Sequence, residues 1–196
     1  MEHSALIGLQ TALDQMTLVL DGVESSALDR PTPCHQWDVR RLADHAVDDL
    51  NQFRKPLSGG RPDFSTPPPR IEGDLGAAFR PGADQLVQAW REIGDLDRPM
   101  PLPIGERPAS FVVRQQTAEF AVHAWDLARA TRQPIDWDHD VAGDVLVWAR
   151  GALLPAFRGP DGEKPFGPIV QPPPDATPQE QLVAFFGRPP RERLAP

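Results

Sequence analysis

Cysteine is almost absent from this chain of 196 residues: Cys34 is the only one, which excludes an internal disulfide and a thiolate metal cage. A chain without disulfides is expected in the reducing cytoplasm. Positive charge is also scarce, with 20 Lys and Arg against 28 Asp and Glu and a net charge of −8. A nucleic-acid clamp needs a basic face to neutralise phosphates, so this balance disfavours one. No stretch approaches the roughly 18 consecutive apolar residues of a membrane span. The N-terminal segment carries Glu2, Asp14, Asp21 and Glu24, which fit no secretory signal. Internal repeats and strong strand alternation are missing too. What is there is a hydrophobic content of 40%, enough for a core, and a length that suits one domain.

Proline is plentiful, at 24 residues. It lacks an amide donor and clashes with the preceding turn, so helices are expected in the windows between prolines. In the first window Leu6, Leu9, Leu13, Met16, Leu20 and Val23 recur at steps of three and four, predicting a helix over residues 4–22. Asp38 is placed to cap a second helix over 38–54, with Val39, Leu42, Ala46, Leu50 and Phe53 on one face. Residues 56–70 read as an extended loop. A third helix is expected over 74–93, kinked or divided by Pro81-Gly82. Alternate prolines over 99–103 favour an extended connection or short edge strand. A fourth helix follows over 108–131, with Pro108 in its first turn, and a fifth over 138–154, capped by Asp138 or Asp140. Beyond Pro155 prolines dominate until a short helix from Pro178, with Gly187 as its C-cap. The expected class is all-α: a four-helix bundle over 1–154 and a proline-rich C-terminal wrap over 155–196.

Chemistry concentrates on the fourth helix. Glu119 and His123 are four residues apart and share a face, with Gln116 and Asp126 on the same stripe. A carboxylate and an imidazole at that spacing can converge on one divalent ion, and a third ligand would leave a coordination position open. Such pairs are also common on solvated helices with no ion. The zinc-protease pattern of two histidines around a glutamate is absent. His45 sits at the border of the second helix's apolar face, the place of a residue aimed into a cleft between helices or of a satisfied core-edge histidine. Gln116 and Asp126 are the residues expected to accept the other ring N–H of a ligating histidine. Asp126 can equally reach Arg129 or Arg40. Cys34 reads as a packed residue at a helix start, His35 and His139 as surface residues, and Trp37, Trp90, Trp125 and Trp148 as core anchors or cleft walls.

The segment Pro31-Thr-Pro-Cys-His-Gln-Trp-Asp-Val-Arg-Arg-Leu-Ala-Asp-His45 resembles the first signature of the mycothiol-dependent maleylpyruvate isomerase-like proteins, within the DinB-like metal-binding superfamily. Glu119-Phe-Ala-Val-His-Ala-Trp-Asp-Leu-Ala-Arg-Ala-Thr131 resembles the second, and Phe185-Phe-Gly-Arg-Pro189 is similar to the close of an actinobacterial subfamily of metal-binding proteins. The resemblance covers nearly the whole chain. It implies a four-helix bundle with one divalent ion, usually zinc, held by His45, Glu119 and His123. It further implies a low-molecular-weight thiol, mycothiol, that attacks an electrophilic small molecule, with no nucleic acid or membrane involved and a monomer or homodimer as the working form. Two imidazoles and one carboxylate leave a +2 ion with net +1, which favours thiolate or hydroxide in the open position. The expected function is therefore a metal-dependent thiol transferase or isomerase. A non-catalytic metal-binding or ligand-sensing protein and a metal-assisted hydrolase are the alternatives, the former favoured if His35 or Asp49 supplies a fourth ligand. One departure stands out: the isomerase needs cations for two substrate carboxylates, and no arginine cluster is evident beside the site.

Overall fold

Helix α1 spans Glu2–Asp21, and its stripe Leu9, Leu13, Met16 and Leu20 is buried, as the three-and-four spacing requires. Helix α2, Val39–Arg54, begins where the Asp38 carboxylate accepts the Arg41 amide at 2.8 Å. A 3₁₀ turn over Lys55–Ser58 then carries the chain past Pro56. The computed structural model describes residues 2–35, 37–102, 105–153, 155–160, 163–164 and 166–191, without the side chains of residues 2–4.

Helix α3, Leu75–Ile93, is capped by Asp74, whose carboxylate accepts the Ala77 amide. Of the two outcomes expected at Pro81-Gly82, a kink or a division, the division does not occur: α3 runs through Pro81 as one element. Proline removes one amide from the ladder, but Leu75, Phe79, Ala83, Leu86 and Trp90 stay buried on one face, and that packing holds the helix together. Gly82 serves the packing directly: a Cβ there would lie 2.8 Å from Leu50 Cδ1, so only glycine lets α2 and α3 approach this closely.

After α3, Pro99–Met100 (β1) and Arg107–Pro108 (β2) form a two-residue antiparallel ribbon in which Pro99 faces Pro108. Neither proline can donate to a ladder, which limits its length. Helix α4, Ala109–Thr131, therefore starts one residue later than expected, with Pro108 as its N-cap. It is the central helix, buried along most of its length. Helices α1 and α2 pack against it, and α3 packs on both of them to close a four-helix bundle. Helix α5, His139–Ala152, capped by Asp138, packs on α4. Leu154, the last residue expected of this helix, lies outside the described residues.

The C-terminal segment returns to the bundle through α6, Pro178–Phe185, which packs on α5 and α4. Its start is a capping box: Thr177 accepts the Glu180 amide at 3.2 Å while Glu180 accepts the Thr177 amide at 2.9 Å. Gly187, at φ 89°, turns the chain after α6. A Cβ there would meet the Pro168 carbonyl oxygen at 3.1 Å, so glycine is needed on both counts. The following residue, Arg188, is thereby directed into the protein. No helix among the described residues is long and apolar enough to cross a membrane.

Candidate metal centre

Helix α4 sets His123 Nε2 at 2.9 Å from Glu119 Oε1. Helix α2 brings His45 Nε2 to 3.1 Å from the same oxygen. One carboxylate oxygen thus lies between two imidazole nitrogens, and the three donor atoms fall within 4.8 Å of one another. In a tetrahedral zinc site with bonds near 2.0–2.1 Å, neighbouring donors stand roughly 3.3 Å apart. The observed separations need open by only a few tenths of an ångström, so the geometry and the donor set both suit a divalent ion. His45, Glu119 and His123 could hold one.

The electrostatics are those of a cation site. Burial opposes a charge on His123, but Glu119 and Asp126 outweigh it and hold its pKa well above the ordinary histidine value. Burial works against ionising Glu119 as well. The charge of His123 and the hydrogen bonds of both histidines prevail, and the Glu119 carboxyl is held well below its usual range.

Behind His123 lies Asp126, fully buried, with Oδ2 at 3.0 Å from Nδ1 of the ring. This contact leaves Nε2 directed at the Glu119 oxygen and fixes the ring plane. Asp126 in turn accepts from Arg188: Nε donates to Oδ1 at 3.1 Å and Nη2 to Oδ2 at 2.8 Å. Burial would raise the Asp126 pKa, yet the guanidinium holds it below the usual carboxylate range. Arg40 is engaged elsewhere, donating to the Ile71 carbonyl. Gln116, on the same stripe of α4, does not reach either histidine. Its Oε1 accepts the indole N–H of fully buried Trp90 at 2.7 Å, and its amide nitrogen faces the Phe53 carbonyl at 3.4 Å.

The site opens onto a pocket of about 510 Å³. Trp37 walls it, its ring centroid 4.4 Å from that of His45. Cys34 lines the same pocket, with His123 and Asp126 in reach of its sulfur. Burial pushes the thiol pKa up, which keeps it protonated and a poor nucleophile at neutral pH. His35 is exposed at the rim. Asp49, one turn after His45 on α2, has Oδ2 at 3.2 Å from His45 Nε2 and a buried Oδ1 with no hydrogen-bond partner among the described residues. Burial and then the charge of Glu119 raise its pKa well above the carboxylate range. Opposite the histidines the wall comes from the C-terminal segment, through Phe166, Gly167, Phe186 and Arg188.

Sequence reasoning missed Arg188. Its partner lies 62 residues away, and no local spacing marks such a pair. The available signal was chemical: a buried aspartate on the helix of a candidate site needs a cation, and the closing Phe-Phe-Gly-Arg segment contains one.

Residues 9–128 match the family described as the mycothiol maleylpyruvate isomerase N-terminal domain. Two strains of Mycobacterium tuberculosis, CDC 1551 / Oshkosh and H37Rv, each have an uncharacterised protein 35% identical to the chain over 185 residues, covering 93% of it and 97% of the relative. The crystal structure of the mycothiol-dependent maleylpyruvate isomerase superposes with a TM-score of 0.55 at 17% identity, covering 65% of this chain and 60% of that one. At that identity the likeness is one of fold.

Proposed function

Because the chain belongs to the mycothiol maleylpyruvate isomerase N-terminal domain family, we propose that it is a metal-dependent thiol transferase or isomerase. In this reading a low-molecular-weight thiol, mycothiol or a close analogue, attacks an electrophilic small molecule. The observation that carries the proposal is the single Glu119 oxygen placed between His45 Nε2 and His123 Nε2 beside a pocket of about 510 Å³.

When bound by His45, Glu119 and His123, a divalent ion such as zinc supplies a net positive charge that lowers the pKa of a thiol beside it. The chain's own residues do the rest by position. Asp126 holds His123 in one orientation, and Arg188 holds Asp126. Trp37 covers the His45 ring, and with Phe166 and Phe186 it keeps apolar surface around the reacting groups. Burial raises the pKa of the Cys34 thiol, and in this reading the nucleophile is a thiol from outside the chain. An isomerase forms a sulfur–carbon bond to an activated double bond, allows rotation about the resulting single bond, and expels the same thiol. A transferase loses a leaving group instead and retains the bond.

The buried, unpartnered Oδ1 of Asp49 beside His45 favours a second reading, a non-catalytic metal protein in which Asp49 closes the coordination shell. One experiment separates the two. Thiol titration of the cobalt-substituted protein gives a sulfur-to-metal charge-transfer band if the site is open to thiols. A spectrum that ignores thiols and changes on Asp49→Ala supports the closed site.

A further inference from the structure

We infer that a second cavity, between the C-terminal ends of α2 and α3, binds the phosphate group of a small phosphate monoester. It shares no lining residue with the pocket beside His45, so the inference stands independently of the thiol reading.

The cavity has a volume of about 510 Å³ and is walled by the last turn of α2, the 3₁₀ turn after it and the last turn of α3. Arg54, Lys55 and Arg98 line it, each partly buried. The chain as a whole has a net charge of −8, yet none of these three cations has a carboxylate oxygen within 4.0 Å among the described residues. Arg54 donates to Gln85 and Lys55 to Gln52 Oε1 at 2.7 Å, both neutral amides. The Arg98 guanidinium has no hydrogen-bond partner among the described residues.

The neighbouring acids are engaged elsewhere. Glu92, on the cavity wall, accepts the Gln88 amide at 3.0 Å, and Asp48 accepts that of Gln52 at 3.1 Å. Asp63 feels the charge of Lys55 but takes its hydrogen bonds from Ser65 and Thr66. Asp95 and Asp97 flank Arg98 in sequence without lining the cavity. Nor do the carbonyls after α2 need these cations: the Gly59 amide bonds the Pro56 carbonyl at 3.2 Å, and the Gly60 amide and Ser58 hydroxyl bond that of Lys55 at 2.8 and 3.1 Å. Three cations against Glu92 leave the wall at +2. A phosphate monoester carries about two negative charges near pH 7, whereas a carboxylate carries one. Guanidinium forks match phosphate oxygens, and lysine adds a point charge. The space exceeds that of a phosphate, and Leu57 and Ile93 offer the organic part of the ester an apolar side.

Calorimetry at low salt on the full chain as purified, and again in chelator, compares phenyl phosphate, inorganic phosphate and benzoate. Phenyl phosphate should bind at least about tenfold more tightly than either of the others, and chelator should leave its binding in place. Arg54→Gln and Arg98→Gln should each weaken it about tenfold while circular dichroism stays helical. Arg98 lies between α3 and β1, outside any helix, so its variant still decides the matter if Arg54→Gln disturbs α2. Inorganic phosphate bound as tightly as phenyl phosphate would make this a site for the free ion, and benzoate bound as tightly would remove the preference for a dianion. Binding abolished by chelator would place the phosphate on the metal centre. Each of these outcomes overturns the inference, as does binding that is absent or that survives undiminished in the folded Arg98→Gln variant.

Discussion

Arg188 grips Asp126 through two nitrogens, Nε at 3.1 Å and Nη2 at 2.8 Å, across 62 residues of sequence. The pair links the turn after α6 to the helix that carries Glu119 and His123. Arg188→Ala removes a two-point guanidinium contact from a fully buried carboxylate, so unfolding free energy should fall by about 3–5 kcal/mol. Chemical denaturation measures this, and a loss below ~1 kcal/mol would show that Asp126 does not depend on the contact. Arg188→Lys keeps a charge but not the fork, and an intermediate value is expected.

Metal stoichiometry tests the proposed ligands. His123→Ala and His45→Ala should each lose most of the bound divalent ion, read by elemental analysis, while circular dichroism stays helical. Undiminished metal in both variants would sink the assignment.

Gln116→Leu separates stability from metal. The indole N–H of Trp90, 2.7 Å from Gln116 Oε1, would be left buried without an acceptor, at a cost of about 1–3 kcal/mol. Metal content should not change. A variant that folds normally but arrives without metal would place Gln116 nearer the ions than its hydrogen bonds do.

Acid should loosen the C-terminal segment through Glu180. Hydrogen bonds from Arg191 hold its carboxyl down to about 2. Its unfolded value lies near 4.3, so the stabilisation is fully present above about pH 4.3 and is lost as pH falls through about 2. Arg191 lies on the surface, so the worth of the pair should stay within about 1 kcal/mol. Arg191→Ala should move the Glu180 titration, followed by carboxyl NMR, back towards its ordinary value. An unmoved titration would assign the depression to the capping box alone.

Cys34→Ser should leave the thiol-induced cobalt band and any turnover of an electrophile in place. Cys34 in the native protein should also react slowly with alkylating reagents at pH 7, because burial keeps the thiol protonated. Loss of activity with metal and fold intact would reverse its role.

The helices were legible wherever the signal is local. Asp38, Asp74 and Asp138 accept amides three residues on, an interaction complete within one turn, and each opens a helix close to the expected residue. Pro81 left two outcomes open, and the helix stays whole because the tertiary burial of Phe79 and Trp90 on either side outweighs one lost hydrogen bond. The site divides in the same way. Glu119 and His123 meet because four residues make about one turn, which any sequence reader can count. His45 reaches Glu119 across 74 residues, and periodicity alone cannot supply that pairing; the resemblance to a family signature did. Nor could spacing distinguish Gln116 from Asp126. Both share the stripe, but one faces Trp90 and the other a histidine, and only the packing of α3 and the C-terminal segment decides which.

Gly187 and the arginine it directs inward have a consequence for synthesis. A ribosome delivers His45, Glu119, His123 and Asp126 well before it delivers Arg188. During that interval the nascent bundle holds an aspartate whose counter-charge has not yet been made. His123, Glu119 and Asp126 share α4, but Asp126 meets its guanidinium only when Arg188 has emerged and α6 has docked. A chain clipped ahead of Arg188 carries every histidine and acid of the site yet leaves Asp126 buried without that guanidinium.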